Sequence, residues 1–263
     1  MTAPALHRRT GEVVADRPLG RYRLLSFVLP SLPGPTRPGQ FLVGPPGQAD
    51  RVLPRTWWVA GERTEPGFGS TLDVVVLDQP AAELPHVGER LALTGPIGRG
   101  YGIPTAPVTA VVATEGAAGA TARWLCDRLR EAGCGTHLVS VADDPDLHVD
   151  LVRARRSTDG VVLIEPDEVG PALHRVLADQ GASVLYAVGP VALSVTAARV
   201  AAEAGVVSQV AGVELGPAVS SVCGHGLCGS CDLPLAGRRE AWIRPCADGP
   251  VVRGDLVDWG SIR

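Results

Sequence analysis

Cys223-Gly224-His225-Gly226-Leu227-Cys228-Gly229-Ser230-Cys231, with a fourth cysteine at Cys246, spells a C-x4-C-x2-C-x14-C pattern. Four thiolates are the ligand count of a [2Fe–2S] cluster, here three on one short loop and the fourth on a returning segment. Gly224, Gly226, Gly229 and Ser230 suit such a loop, because glycine admits positive φ and small residues let backbone N–H groups approach cluster sulfurs. Cys223, Cys228, Cys231 and Cys246 are therefore the candidate metal ligands. His225 could in principle replace a thiolate. Beside four well-spaced cysteines it reads instead as a neighbour that modulates potential or solvent access. A four-cysteine zinc site is the alternative, but it would usually show two C-x2-C pairs, and only Cys228 and Cys231 have that spacing. A disulfide framework fits less well, since the opening MTAPALHRRTGEVV lacks the apolar core of a signal peptide and a chain this long does not need staples. Cys126 and Cys134 lie outside the pattern, and Cys126, in a helical stretch, reads as a small buried hydrophobe.

Upstream of the cysteines the texture changes twice. From Arg21 to Leu93, short β-type runs (Tyr22–Leu29, Gln40–Val43, Thr56–Ala60, Leu72–Leu77 and Arg90–Leu93) are separated by Pro- and Gly-rich turns, which predicts a small antiparallel barrel. From Val108 to Gly205, apolar runs at Val108–Ala113, His137–Val141, Val161–Ile164 and Val184–Val188 alternate with Ala-rich helical stretches at Ala117–Ala132, Pro171–Gln180 and Val191–Ala204. That alternation predicts buried parallel strands with covering helices, a doubly wound α/β unit. The expected organisation is a flavin-binding-type barrel over residues 1–102, a nicotinamide-binding-type α/β domain over 103–205 and a cluster module over 206–263.

Composition narrows the function classes. The 263 residues suffice for two domains and a small module. A net charge of −4 argues against a general binder of nucleic acid or anionic membrane. All 24 Lys-or-Arg positions are arginine. The chain has no apolar run of the roughly 20 residues a membrane helix needs, and reduced thiols point to the cytoplasm. Neither H-E-x-x-H nor G-x-S-x-G occurs, and Asp143-Asp144 and Glu165/Asp167/Glu168 read as solvated loop acids.

The order of barrel, α/β unit and cysteine segment resembles the electron transfer subunit of the class 1B dihydroorotate dehydrogenases, within the ferredoxin-reductase superfamily. Three motifs carry the resemblance over nearly the whole chain. Pro38-Gly39-Gln40-Phe41 resembles a PGQF element of the barrel, and Gly95-Pro96-Ile97-Gly98-Arg99-Gly100-Tyr101 a GPLGNGF element leading into the second domain. The cysteines, followed by Asp248-Gly249-Pro250-Val251 and Trp259, resemble the family's cluster segment with its DGPV tail. The resemblance implies FAD in the barrel, NAD(H) at the α/β unit and a heteromeric FMN-containing TIM-barrel dehydrogenase as partner, in pyrimidine biosynthesis.

This chain departs from that pattern at both cofactor sites. The family's RPxS strand places an arginine on the flavin pyrophosphate and a hydroxyl on the isoalloxazine; here the stretch is Arg55-Thr56-Trp57-Trp58, with Trp58 at the hydroxyl position. Arg55 is the expected phosphate partner. The two tryptophans either stack on flavin or pack in a core. The GxGT turn is replaced by Asp78-Gln79-Pro80-Ala81-Ala82, and Asp73 and Asp78 put carboxylates near it. On the nicotinamide side the glycine-rich turn is thinned to Thr114-Glu115-Gly116-Ala117-Ala118-Gly119, and the Cys-Gly-Pro element becomes Val188-Gly189-Pro190. Gly95, Pro96, Gly116, Gly119 and Gly189 are the remaining candidate cofactor contacts. The expected function is an electron-transfer subunit that makes weak use of NAD(H). The alternatives are a cluster-bearing scaffold with decayed flavin and nicotinamide sites, and an independent NAD(P)H-dependent reductase.

Overall fold

The computed structural model describes residues 8–30, 32, 34–46, 54–65 (the backbone alone at 65), 69–79, 83–213, 222–238 and 240–262. Six strands, β1 (Arg8–Leu19), β2 (Tyr22–Leu29), β3 (Phe41–Gly44), β4 (Arg55–Glu65), β5 (Gly69–Leu77) and β6 (Arg90–Ile97), close an antiparallel barrel in the order β1-β2-β5-β4-β3-β6. Alternation decides which side chains fill it. Leu25, Phe27 and Leu29 of β2 point inward with Leu72, Val74 and Val76 of β5, Trp57 and Val59 of β4, and Leu91 and Leu93 of β6. The residues between them face outward. Tyr22, Ala60 and Val75 pack against Ala120 and Val149 of the second unit.

The second unit holds five parallel strands, β7 (Thr109–Glu115), β8 (Gly135–Val141), β9 (Gly160–Ile164), β10 (Val184–Val188) and β11 (Val207–Ala211), in the order β9-β8-β7-β10-β11. Helices α1 (Gly119–Glu131) and α2 (Leu151–Ser157) share one core with one face of the sheet, while α3 (Val169–Gln180) and α4 (Val191–Ala204) share another with the opposite face. The fold is thus a barrel joined to a doubly wound α/β sheet. Strand order reverses between β7 and β10, which opens a crevice at their C-terminal ends.

The remaining chain is woven back into both units. Two short strands, β12 (Leu233–Pro234) and β13 (Trp242–Ile243), form a ribbon; a single turn α5 (Pro245–Asp248) follows, and β14 (Val251–Arg253) joins β11 antiparallel as the sheet's edge. Two expectations need correction. The sheet does not end at residue 205, because β11 and β14 both lie in the 206–263 stretch; the polar Ser208 and Gln209 and the three-residue length of β14 hide them from a search for apolar runs. The strand runs read from Arg21 onward also miss one strand of the expected 1–102 barrel, since β1 pairs with β2 and β6. Most of β1 is exposed or half-buried, so its sequence RRTGEVVADRPL carries little apolar signal.

Barrel and sheet meet through tyrosines. The Tyr22 hydroxyl donates to the Leu147 carbonyl at 2.7 Å, Tyr101 to Ala187 at 2.5 Å and Tyr186 to Gly102 at 2.9 Å. Tyr101 and Tyr186 also meet edge to face, their ring centroids 5.8 Å apart. Among the described residues no helix is long and apolar enough to cross a membrane.

Candidate functional site

The cysteine loop turns through three glycines in the left-handed region, Gly224 (φ +70°), Gly226 (+72°) and Gly229 (+73°). At Gly224 a side chain is excluded twice over, since a Cβ would also lie 2.4 Å from Val43 Cγ2 on the barrel strand β3. The loop therefore rests directly on the barrel. Its backbone turns inward to sulfur: the N–H groups of His225 and Leu227 donate to Cys223 Sγ at 3.4 and 3.3 Å. The part His225 plays in this geometry is that of its N–H, while the residue is exposed.

The four thiols stand in two pairs. Cys228 is hydrogen-bonded by Ser230 and, more weakly, by Cys223, which brings its thiol down to about 7. Cys231 accepts a hydrogen bond from the Cys246 thiol, so its own thiol also falls to about 7 while that of Cys246 is pushed up. Cys228 is exposed and Cys223 half-buried, whereas Cys231 and Cys246 are buried. Among the described residues no group of three or more His, Cys, Asp or Glu side chains surrounds one point, as a single metal ion would require. Four thiols, with two backbone N–H groups directed at Cys223 Sγ, are a donor set that could hold a two-iron cluster.

A side chain that spacing rules overlook holds this loop to the fourth cysteine. Arg244 forks onto Asp232, Nε to Oδ1 at 2.6 Å and Nη2 to Oδ2 at 2.7 Å, and its Nη1 donates to the Gly226 carbonyl at 2.5 Å. The guanidinium keeps the Asp232 carboxyl below its usual range. The Arg244 N–H donates to Asp248 Oδ2 at 2.9 Å, so Asp248 caps the turn that carries Cys246. The sequence hints at this arrangement only through an arginine two residues before Cys246 and an aspartate directly after Cys231. Beyond the turn, Gly249 O accepts from Arg99 N at 3.1 Å and Pro250 O from Gly212 N at 2.8 Å. A Cβ on Gly98 would stand 2.2 Å from Gly249 O, so the Gly95–Tyr101 stretch and the Asp248–Val251 tail are fitted to each other.

The expected flavin contacts are placed differently from one another. Arg55 is buried in the barrel wall, with Nε on the Pro45 carbonyl at 3.0 Å, Nη1 on the Glu83 carbonyl at 2.6 Å and the guanidinium 5.4 Å over the Trp57 ring. These bonds engage two of the five N–H donors of the guanidinium. Thr56 is fully buried, Trp57 fills the barrel core, and Trp58 packs outward into the core that includes Phe41, Ile97 and Tyr101. Gly95 lies against the Phe41 carbonyl, and Pro96 lines a cavity of about 430 Å³ with Thr36, Arg37, Gln40 and Arg99. Asp78 and Gln79 precede residues 80–82, which lie outside the described set.

The nicotinamide candidates converge at the crevice between β7 and β10. Gly189 packs on the Glu115 backbone, with room of only 3.3 Å for a Cβ, and Gly116 takes φ +62° in the turn that enters α1. Gly119 sits against Val149, a packing reason for its lack of a side chain. Val188 is fully buried, and its carbonyl accepts from the Thr114 hydroxyl at 2.9 Å.

Residues 222–258 match the family model of the iron–sulfur cluster binding domain of dihydroorotate dehydrogenase B. The C-terminal segment is an iron–sulfur cluster binding domain. Over 242 residues, 89% of this chain and 82% of the relative, the sequence is 27% identical to the dihydroorotate dehydrogenase B (NAD(+)) electron transfer subunit homolog of Thermotoga maritima. Among solved structures, an NADH-dependent reduced ferredoxin-NADP oxidoreductase studied for flavin-based electron bifurcation superposes with a TM-score of 0.73, at 23% identity and over 99% of this chain and 92% of that one. The ferredoxin reductase of carbazole 1,9a-dioxygenase gives 0.61 at 18% identity, covering 78% and 68%. These likenesses establish the ferredoxin-reductase-like fold around the cluster segment.

Proposed function

We propose that this chain is the electron-transfer subunit of a dihydroorotate-dehydrogenase-like complex, working beside an FMN-containing TIM-barrel dehydrogenase in the cytoplasm. Cys223 and Cys228 would hold one iron of a [2Fe–2S] cluster, and Cys231 and Cys246 the other. Such a cluster supplies one-electron transfer, and a flavin joins that regime to the two-electron oxidation of an organic substrate. The observation that carries this reading is how the cysteine loop is mounted: Gly224 lies on barrel strand β3, and the tail after Cys246 becomes the edge of the α/β sheet. A cluster so held touches both units that handle flavin and nicotinamide in proteins of this fold.

A cluster-bearing scaffold without flavin is the second reading. Two observations favour it, the commitment of Arg55 to backbone carbonyls and the burial of Trp58. Co-expression with the candidate dehydrogenase, followed by iron, sulfide and flavin analysis of the purified complex, separates the two. Two irons, two sulfides and one FAD per chain support the relay. Iron without FAD, even after reconstitution, supports the scaffold, and zinc without sulfide ends both.

A further inference from the structure

The Arg244–Asp232 pair occupies an unusual position among the ligands. Asp232 directly follows Cys231, Gly226 lies between Cys223 and Cys228, and Arg244 and Asp248 stand two residues to either side of Cys246. One guanidinium thus bonds the loop of the first three ligands at two places, while its own backbone N–H is fixed by the turn of the fourth. We propose that the Arg244–Asp232 ion pair positions the cysteine loop and, by its mutual compensation, keeps either charge from acting alone on the reduction potential of the cluster it holds. This rests on the cluster reading above and adds two positioning residues to it.

The planar fork is what the geometry uses. Three N–H groups leave Arg244 in fixed directions toward Asp232 Oδ1, Asp232 Oδ2 and Gly226 O, and a lysine ammonium could not satisfy all three at once. The electrostatics follow from pairing. With side-chain exposures of 38% for Arg244 and 25% for Asp232, both charges are partly solvated, and to the nearby sulfurs they nearly cancel. Removal of one partner leaves a single charge beside Cys231. A lone carboxylate opposes an added electron and lowers the potential, whereas a lone guanidinium favours it and raises the potential.

Redox titration of the reconstituted chain, followed by electron paramagnetic resonance, reads those signs, and iron release to a chelator reads the clamp. Arg244→Met should lower the midpoint potential, Asp232→Asn should raise it, and the double variant should return close to the wild-type value. Iron loss should speed up by about tenfold or more in Arg244→Met, which loses the fork on Asp232 and the contact to Gly226 O together. Arg244→Lys keeps the charge and loses the fork, so it should release iron faster at nearly unchanged potential. That variant and Asp232→Asn keep the test open if Arg244→Met fails to assemble. Shifts of the same sign in Arg244→Met and Asp232→Asn, or no shift in Asp232→Asn, would overturn the proposal. Wild-type protein with zinc and no sulfide would instead sink the cluster reading before any variant is made.

Discussion

Cys228 and Cys126 have the same side chain and opposite surroundings, and the difference decides what each substitution does. Cys228 is exposed, with its thiol down to about 7, whereas Cys126 is fully buried in α1 and its thiol is pushed up by burial. Cys228→Ser should abolish or strongly destabilise the cluster, measured as iron and sulfide per chain. Cys126→Ser should leave the iron content unchanged while costing about 1–3 kcal/mol in urea unfolding, because a hydroxyl in that core lacks the partners water gave it. Gly98 offers a third residue-scale test. An alanine there combines φ +95° with a Cβ 2.2 Å from Gly249 O, a backbone contact that cannot give way cheaply. Gly98→Ala should destabilise by about 2–4 kcal/mol and loosen the Cys246 turn, seen as faster iron release in the same unfolding series. The cysteines were legible in the sequence because ligand spacing is itself the chemistry. Arg244 was not, since its partners are chosen only when β13 folds back on the loop. Arg55 was read from its place in the strand that resembles the RPxS element, and only the fold reveals that part of its guanidinium is engaged by backbone carbonyls of the barrel.

At the scale of elements, legibility followed apolar density. Strands β2, β5, β7 and β10 and helices α1, α3 and α4 announce themselves as alternating or continuous apolar runs. Strand β1 is held mainly by backbone pairing to β2 and β6, and β14 by three residues against β11, so neither needs a pattern a sequence search would detect. The joint between barrel and sheet is likewise invisible in sequence, and it predicts a pH response. Burial raises the Tyr22 hydroxyl to about 12, and Tyr101 and Tyr186 are also pushed up by burial. The native state thus favours the protonated phenols. Their contribution is complete below the ordinary tyrosine value near 10 and is lost as pH rises through the raised values. Stability should therefore fall above pH ~10. Tyr22→Phe should cost about 1 kcal/mol at neutral pH by removing the bond to Leu147 O, and should flatten part of the alkaline loss. Equilibrium unfolding at pH 7 and across the alkaline range checks both effects, and an unchanged alkaline slope in Tyr22→Phe would count against the assignment.

For the relay proposed above, the whole molecule poses the question of where electrons would leave it. The reversal of strand order places Glu115, Gly116 and Gly189 together at one crevice, the position at which doubly wound sheets receive nucleotides. The turn of Gly116 and the start of α1 offer N–H groups to a pyrophosphate, while the Glu115 carboxylate opposes one. Glu115 is half-buried, and a solvent-screened interaction of that kind is worth up to about 1 kcal/mol, too little to exclude a dinucleotide alone. Val188 adds to it, since its buried side chain offers no thiol to a nicotinamide ring. We expect weak NADH use by the isolated chain, and stopped-flow absorbance of the reconstituted protein is the measurement. Slow or absent reduction by NADH and NADPH, together with fast reduction through the partner dehydrogenase, fits a relay whose nicotinamide end has weakened. Fast reduction by micromolar NADH would instead mean that the crevice tolerates Glu115. Glu115→Gln should then give at most about a fivefold gain in affinity for NADH, the size of one screened charge contact.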